Sequence, residues 1–221
     1  MIPKHVFIAV SLCAAWGFGQ WPNVALAEDP AKVVCFGDSI TKRGYPDILG
    51  RLIGVEAINA GVAGNTSREG LRRMKKDVFS QRPDVVVIFF GTNDLRVDAP
   101  HKYTLLNEYQ ENLQKIIKGC RKQNAQVVLC TLPPIESQAY FTRHDRKLFQ
   151  VEGGLKQMIS GYRKTAVEVA EQANVPLVDL NHLLKKEPSW LSKDGVHPSP
   201  AGNAIIAKHV AEVVGPLLDK R

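Results

Sequence analysis

The 221-residue chain predicts a single α/β domain of three layers, in which a mainly parallel sheet of five strands lies between helices. Three observations lead there. Strand-like and helix-like patterns alternate along the chain from Lys32 onward, the order expected of β-α-β units. Val85-Val86-Val87-Ile88-Phe89-Phe90 has no polar alternation, as a parallel strand covered on both faces requires. Polar or glycine-rich clusters follow the predicted strands, so one edge of the sheet would collect them. The length suits one sizeable core, and the composition, 44% hydrophobic and 23% charged, is that of an ordinary globular protein. No internal repeat, low-complexity segment or second domain interrupts it.

The first 27 residues stand apart. Lys4 and His5 precede an apolar run over residues 6–18, and Ala25-Leu26-Ala27 then meets Glu28-Asp29. A positive start, an apolar middle and a small-x-small end read as a secretory signal peptide closing at Ala27, with the mature domain spanning 28–221. The alternative is an amino-terminal membrane anchor, but the apolar run is short and Gly17, Gly19, Gln20 and Pro22 break it. The expectation is an exported protein, periplasmic or extracellular, with no stable membrane insertion after cleavage.

Lys32-Val33-Val34-Cys35-Phe36 reads as the first strand, followed by Gly37-Asp38-Ser39-Ile40-Thr41. Pro46 opens a helix that Gly54 closes. Residues 55–59 form the second strand, and Asn59-Ala60-Gly61-Val62-Ala63-Gly64-Asn65-Thr66 is a loop of small residues. Thr66 and Glu69 make a capping box for a helix with Leu71, Met74 and Val78 on one stripe. After Pro83-Asp84 comes the third strand, ended by Gly91-Thr92-Asn93-Asp94. A helix over about 107–124 carries Tyr109, Leu113, Ile116, Ile117 and Cys120. Residues 127–130 are the fourth strand, which Pro133-Pro134 stops. Residues 135–152 read as a long irregular stretch, and loops of that length are often functional. A helix from about 155 to 174 bears Met158, Ile159, Tyr162, Ala166 and Val169. Residues 176–180 are the fifth strand. Asp194-Gly195-Val196-His197-Pro198 leads into a last helix opened by Pro200, with Ile205, Ile206, Val210 and Val213 apolar.

Of the four cysteines, Cys13 falls in the signal, leaving Cys35, Cys120 and Cys130. An odd count cannot pair fully, so they read as small buried hydrophobes, with a Cys120–Cys130 disulfide as the alternative in an oxidising compartment. No Cys or Cys/His spacing marks a metal site, and no cofactor motif occurs. The net charge is +7, or +6 once Lys4 is removed. Its basic residues, among them Lys42-Arg43, Arg72-Arg73, Lys75-Lys76 and Lys185-Lys186, are scattered and read as a solvated surface. No aromatic interleaving or nucleic-acid motif accompanies them, so no nucleic-acid partner is expected.

The chemistry lies in the strand-end clusters. A hydroxyl such as Ser39 is a weak nucleophile without a base. His197 is the best general base, since an imidazole exchanges protons near neutral pH. Asp194, three residues earlier, can reach its other nitrogen and fix the tautomer. Candidate oxyanion donors are the backbone N–H groups of Ser39 and Gly64 and the side-chain amide of Asn93. Each cluster alone reads equally as a turn. Their convergence at strand ends is what points to function. His144, in the 135–152 stretch, is a substrate-contact candidate; His101, His182 and His209 read as structural or exposed. Asn65-Thr66-Ser67 matches a glycosylation acceptor but falls on the expected site.

These residues resemble the SGNH hydrolases, also called GDSL-type esterases and lipases, over essentially the whole mature chain. Gly37-Asp38-Ser39 looks like the family's first block, with Ser39 at its nucleophile. The loop 59–66 looks like the second, its oxyanion glycine matching Gly64 rather than Gly61. Gly91-Thr92-Asn93-Asp94 looks like the third, with Asn93 at the oxyanion asparagine. Asp194 to Pro198 looks like the last, with Asp194 and His197 completing a triad. Ile40 stands where the family name implies Leu, an apolar exchange. The resemblance implies a flavodoxin-like α/β/α sandwich and a metal-independent serine esterase working through an acyl-enzyme. The G-x-S-x-G elbow is absent, because position 41 is Thr.

The sequence start and export signal resemble bacterial carbohydrate acetylesterases, so a short acyl ester on a sugar is the first expectation. A thioesterase or lysophospholipase for longer chains, and acyl transfer to a glycan, are the alternatives. A non-catalytic glycan-binding domain is the rival from another class. Tyr140, Phe141, Arg143 and His144 are the expected substrate contacts.

Overall fold

The computed structural model describes residues 30–219, so the readings for residues 1–27 lie outside the described residues. Five parallel strands form one sheet: β1 (Lys32–Gly37), β2 (Glu56–Gly61), β3 (Val85–Phe89), β4 (Gln126–Cys130) and β5 (Leu177–Val178). Their spatial order is β2-β1-β3-β4-β5. This is the flavodoxin-like order, in which the chain reverses its winding direction between β1 and β3.

The helices are α1 (Ser39–Lys42), α2 (Tyr45–Ile53), α3 (Ser67–Asp77), α4 (Leu106–Arg121), α5 (Ser137–Tyr140), α6 (Arg146–Val151), α7 (Leu155–Ala173), α8 (Leu180–Leu183) and α9 (Pro200–Leu218). Successive strand residues point to opposite faces, which divides the interior into two cores. Val34, Phe36, Val86, Ile88, Val127 and Leu129 pack with residues of α3, α4 and α7. Val33, Cys35, Val85, Val87, Val128 and Cys130 pack with residues of α2 and α9. Val85 to Phe90 is buried throughout, as its unbroken apolar run predicts. Each fully buried side chain of this kind contributes about 1.5–3 kcal/mol.

The helical stripes face inward as their spacing requires. Tyr109, Leu113, Ile116, Ile117 and Cys120 of α4 are all buried. In α9 the buried apolar side chains are Ile206, Ala207, Val210 and Val214, while Ile205 and Val213 are only partly covered.

Several boundaries differ from expectation. Strand β2 runs on to Gly61 because its register with β1 holds to the Gly37–Gly61 pair. Strand β5 is two residues long, because Asp179 turns away to cap α8 and takes hydrogen bonds from Thr131 and Arg163. The stretch 135–152 is not irregular. Glu136 accepts from the N–H groups of Gln138 and Ala139, Asp145 accepts from that of Lys147, and the two carboxylates start α5 and α6. Tyr140, Phe141 and Phe149 pack edge to face with centroids 5.5 Å apart and anchor the segment to the core on the α3, α4 and α7 side.

The three described cysteines are free and buried. Cys120 lies in one core and Cys130 in the other, so the sheet stands between them and the Cys120–Cys130 disulfide is excluded. Among the described residues no helix is long and apolar enough to cross a membrane.

Candidate functional site

A cleft of about 660 Å³ opens at the carboxyl ends of the strands and contains Ser39, Gly64, Asn93 and His197 in its lining. They arrive from four segments of the chain, and the winding reversal between β1 and β3 leaves the space between them.

Ser39 begins α1 directly after β1. Asp38 caps that turn, its Oδ1 accepting the Ile40 N–H at 2.8 Å. The Ser39 Oγ lies 2.8 Å from Nε2 of His197. The opposite ring nitrogen, Nδ1, lies 2.7 Å from Oδ2 of Asp194. Asp194 Oδ1 accepts from the backbone N–H groups of Val196 and His197 and from the Ser192 hydroxyl. Partial burial opposes ionisation of Asp194, but these donors outweigh it and hold the carboxyl well below the usual carboxylate range. Gly195 makes the tight return from Asp194 to His197. Its φ is +74°, and a Cβ there would stand 2.9 Å from Ala139 and the Glu136 carbonyl.

Gly64 also has a positive φ, 74°. Asn93 follows β3, and its Nδ2 donates to the Asn65 carbonyl at 3.0 Å and to Asp38 Oδ2 at 3.3 Å. Burial pushes Asp38 up to about 7, helped by the neighbouring Asp94 carboxyl and opposed by the Ile40 N–H and Arg73. Burial likewise raises Asp94 to about 6, although the Ser67 hydroxyl and N–H donate to it.

Of the expected substrate contacts, Tyr140, Arg143 and His144 line the cleft. Phe141 is not brought to it: its ring packs against Tyr140, Phe149 and the Arg146 guanidinium. His144 stacks on Tyr140 at 4.0 Å, and its Nδ1 lies 2.7 Å from Asp98. Burial lowers its pKa, with Arg96 and Arg143 pushing the same way against Asp98. When the ring is neutral, an Nδ1–H donates to the carboxylate and Nε2 is left as an acceptor. His101 and His182 are exposed and outside the cleft, and His209 lies beside Glu212.

Sequence reasoning missed Arg73 and Asp98. Arg73 is not a solvated surface residue. Its guanidinium donates to the carbonyls of Gly37 and Ala60, to Asn65 Oδ1 and to Asp77, and stacks over Phe36 at 4.4 Å. It therefore ties the Ser39 turn to the Gly64 loop. Asp98 orients His144 while accepting from Arg96 at 3.0 and 3.1 Å. The available signal for Arg73 was helical phase, since it lies three residues after buried Gly70 and next to buried Met74. For Asp98 it was only its position in the polar stretch after β3.

Residues 35–205 match the model of the GDSL-like Lipase/Acylhydrolase family. An acetylxylan esterase of Geobacillus stearothermophilus is 30% identical over 185 residues, covering 77% of this chain and 75% of its own. The uncharacterized lipoprotein YqeF of Bacillus subtilis is 29% identical over 202 residues, covering 80% and 83%. Among solved structures, a lipase/acylhydrolase from Enterococcus faecalis superposes with a TM-score of 0.72 at 29% identity, covering 84% of this chain and 96% of that one. A family match across most of the chain, with this fold behind it, makes the protein a carboxylic ester hydrolase belonging to the GDSL-like lipase/acylhydrolase family.

Proposed function

We propose that the protein hydrolyses short acyl esters, acetyl above all, carried on a carbohydrate, and that Ser39, His197 and Asp194 do the chemistry. The observation that carries this reading is the unbroken hydrogen-bonded line from the Ser39 hydroxyl through His197 to Asp194, at 2.8 and 2.7 Å. His197 Nε2 takes the hydroxyl proton as Oγ attacks the acyl carbonyl carbon. Asp194 holds the tautomer that leaves Nε2 free to accept and stabilises the imidazolium. The carbonyl oxygen becomes an oxyanion facing the N–H groups of Ser39 and Gly64 and the Asn93 amide. Collapse breaks the ester C–O bond, and His197 returns the proton to the departing alcohol. Water, deprotonated by the same imidazole, then attacks the acyl-serine and releases the acid.

The lining of the cleft favours a small acyl group: among the described residues its aliphatic side chains are Ala63 and Val196, which provide no groove for a long chain. The acetylxylan esterase relative is consistent with this chemistry. Export follows from the pattern ending at Ala27, and a lipoprotein among the relatives is in keeping with it.

The test is a series of 4-nitrophenyl esters of increasing acyl length, with wild type and Ser39→Ala. The acetate should turn over fastest, and Ser39→Ala should lose at least about 10⁴-fold in kcat. A maximum at long acyl chains would overturn the short-acyl reading. Full activity in Ser39→Ala would overturn the mechanism.

A further inference from the structure

We infer that the alcohol part of the substrate is itself anionic: the acyl group sits on a sugar that bears a carboxylate or a phosphate. This rests on the esterase reading above and specifies its substrate.

Among the described residues, the cleft that holds Ser39 is lined by four cationic side chains, Lys42, Arg43, Arg96 and Arg143, and by no carboxylate. They come from three separate segments: the end of α1, the polar stretch after β3, and the turn between α5 and α6. The nearest carboxylates leave two of them uncompensated. Asp98 pairs with Arg96 and also meets His144, and Asp194 is engaged by His197 and the N–H groups around it. Arg43 is half exposed and approaches Asp194 only to 3.7 Å. Lys42 forms no ion pair among the described residues, and Arg143 donates only to the uncharged Asp194 carbonyl, at 2.6 Å.

His144, held 2.7 Å from Asp98, brings a ring nitrogen to the same cleft as a polar contact for the sugar. Lys42 and Arg143 are exposed in the lining of the cleft, and neither is paired with a carboxylate among the described residues. Charge of one sign focused in a cleft raises the local concentration of an oppositely charged ligand. Arginine also presents paired N–H groups that match a carboxylate or a phosphate.

The experiment uses three sugar monoacetates with the acetyl on the same hydroxyl: methyl glucoside, methyl glucuronoside and glucose 6-phosphate. Steady-state rates are measured on the purified wild-type protein, with 4-nitrophenyl acetate as the uncharged reference. At low salt, kcat/KM for an anionic sugar should exceed that for the neutral sugar by about tenfold or more, carried by KM, which corresponds to about 1.4 kcal/mol. The advantage should shrink toward unity at about 0.5 M NaCl, because exposed charges are screened. In Lys42→Gln/Arg143→Gln the anionic-to-neutral ratio should fall severalfold. Whichever anionic sugar is preferred separates carboxylate from phosphate. Turnover of the neutral sugar equal to or above both anionic ones refutes this inference while leaving the esterase reading in place. A preference unmoved by both salt and the double variant refutes it as well. No turnover of any acetate, the aryl ester included, refutes the esterase reading itself.

Discussion

Asn93 uses both hydrogens of its amide on protein acceptors, the Asn65 carbonyl at 3.0 Å and Asp38 at 3.3 Å. An oxyanion role for Asn93 requires one of these bonds to be given up, and the longer, to Asp38, is the weaker. For Asn93→Ala, kcat on 4-nitrophenyl acetate should fall by about 10²–10³ with little change in KM, the loss typical of one oxyanion donor. A near-normal kcat would remove Asn93 from that role. At this scale the residues after the strands were legible through their convergence: each cluster alone reads as a turn, but a hydroxyl, an imidazole and an amide gathered at one sheet edge point to chemistry. Arg73 was not. An arginine among Arg72, Lys75 and Lys76 has the composition of a surface, and only its helical phase turns it under the Gly64 loop.

Helix α3 begins where the Gly64 loop ends, and one capping box fixes that boundary. The Glu69 carboxylate accepts the Thr66 N–H at 2.8 Å, and the Thr66 hydroxyl accepts the Glu69 N–H at 3.3 Å. Replacing Thr66 by Ala leaves that N–H without its partner and frees the last residues of the loop. The variant should lose about 1 kcal/mol in urea unfolding. The cap was legible because Thr and Glu three apart are a local signal. Helices α5 and α6 carry equally local caps, Glu136 and Asp145, yet too few apolar residues to show a helical period. They are held by Tyr140, Phe141 and Phe149, which pack on one another and on the main core, contacts made only after the segment has folded back. Strand β5 shows the reverse case. An apolar run long enough for a strand stops after two residues because Asp179 has partners on α7, Arg163, and just after β4, Thr131.

Across the whole molecule, the sheet separates the thiols. Cys35 and Cys130 lie on the α2–α9 side and Cys120 on the α3–α4–α7 side. Burial pushes the Cys35 and Cys120 thiols up to about 12 and raises Cys130 as well. Thiolate is the reactive form, so all three should be inert in the native state. A chain beginning at Glu28 should react negligibly with a thiol reagent such as 5,5′-dithiobis(2-nitrobenzoate) when folded. It should titrate its full complement of thiols, Cys35, Cys120 and Cys130, after unfolding without reductant. Any shortfall would reveal a disulfide.

What the sequence determined by itself was set by short-range physics. Apolar runs and helical stripes specify which residues must leave water, and their alternation allows only a parallel sheet between helices. That in turn sends Ser39, Gly64, Asn93 and His197 to one edge. Tertiary structure alone decided which side chains meet around that edge. The order β2-β1-β3-β4-β5 opens the cleft between β1 and β3, and the folded α5–α6 segment brings Arg143 and His144 to its rim while turning Phe141 away. Those contacts join residues dozens of positions apart. They depend on packing geometry between elements, which no local pattern encodes.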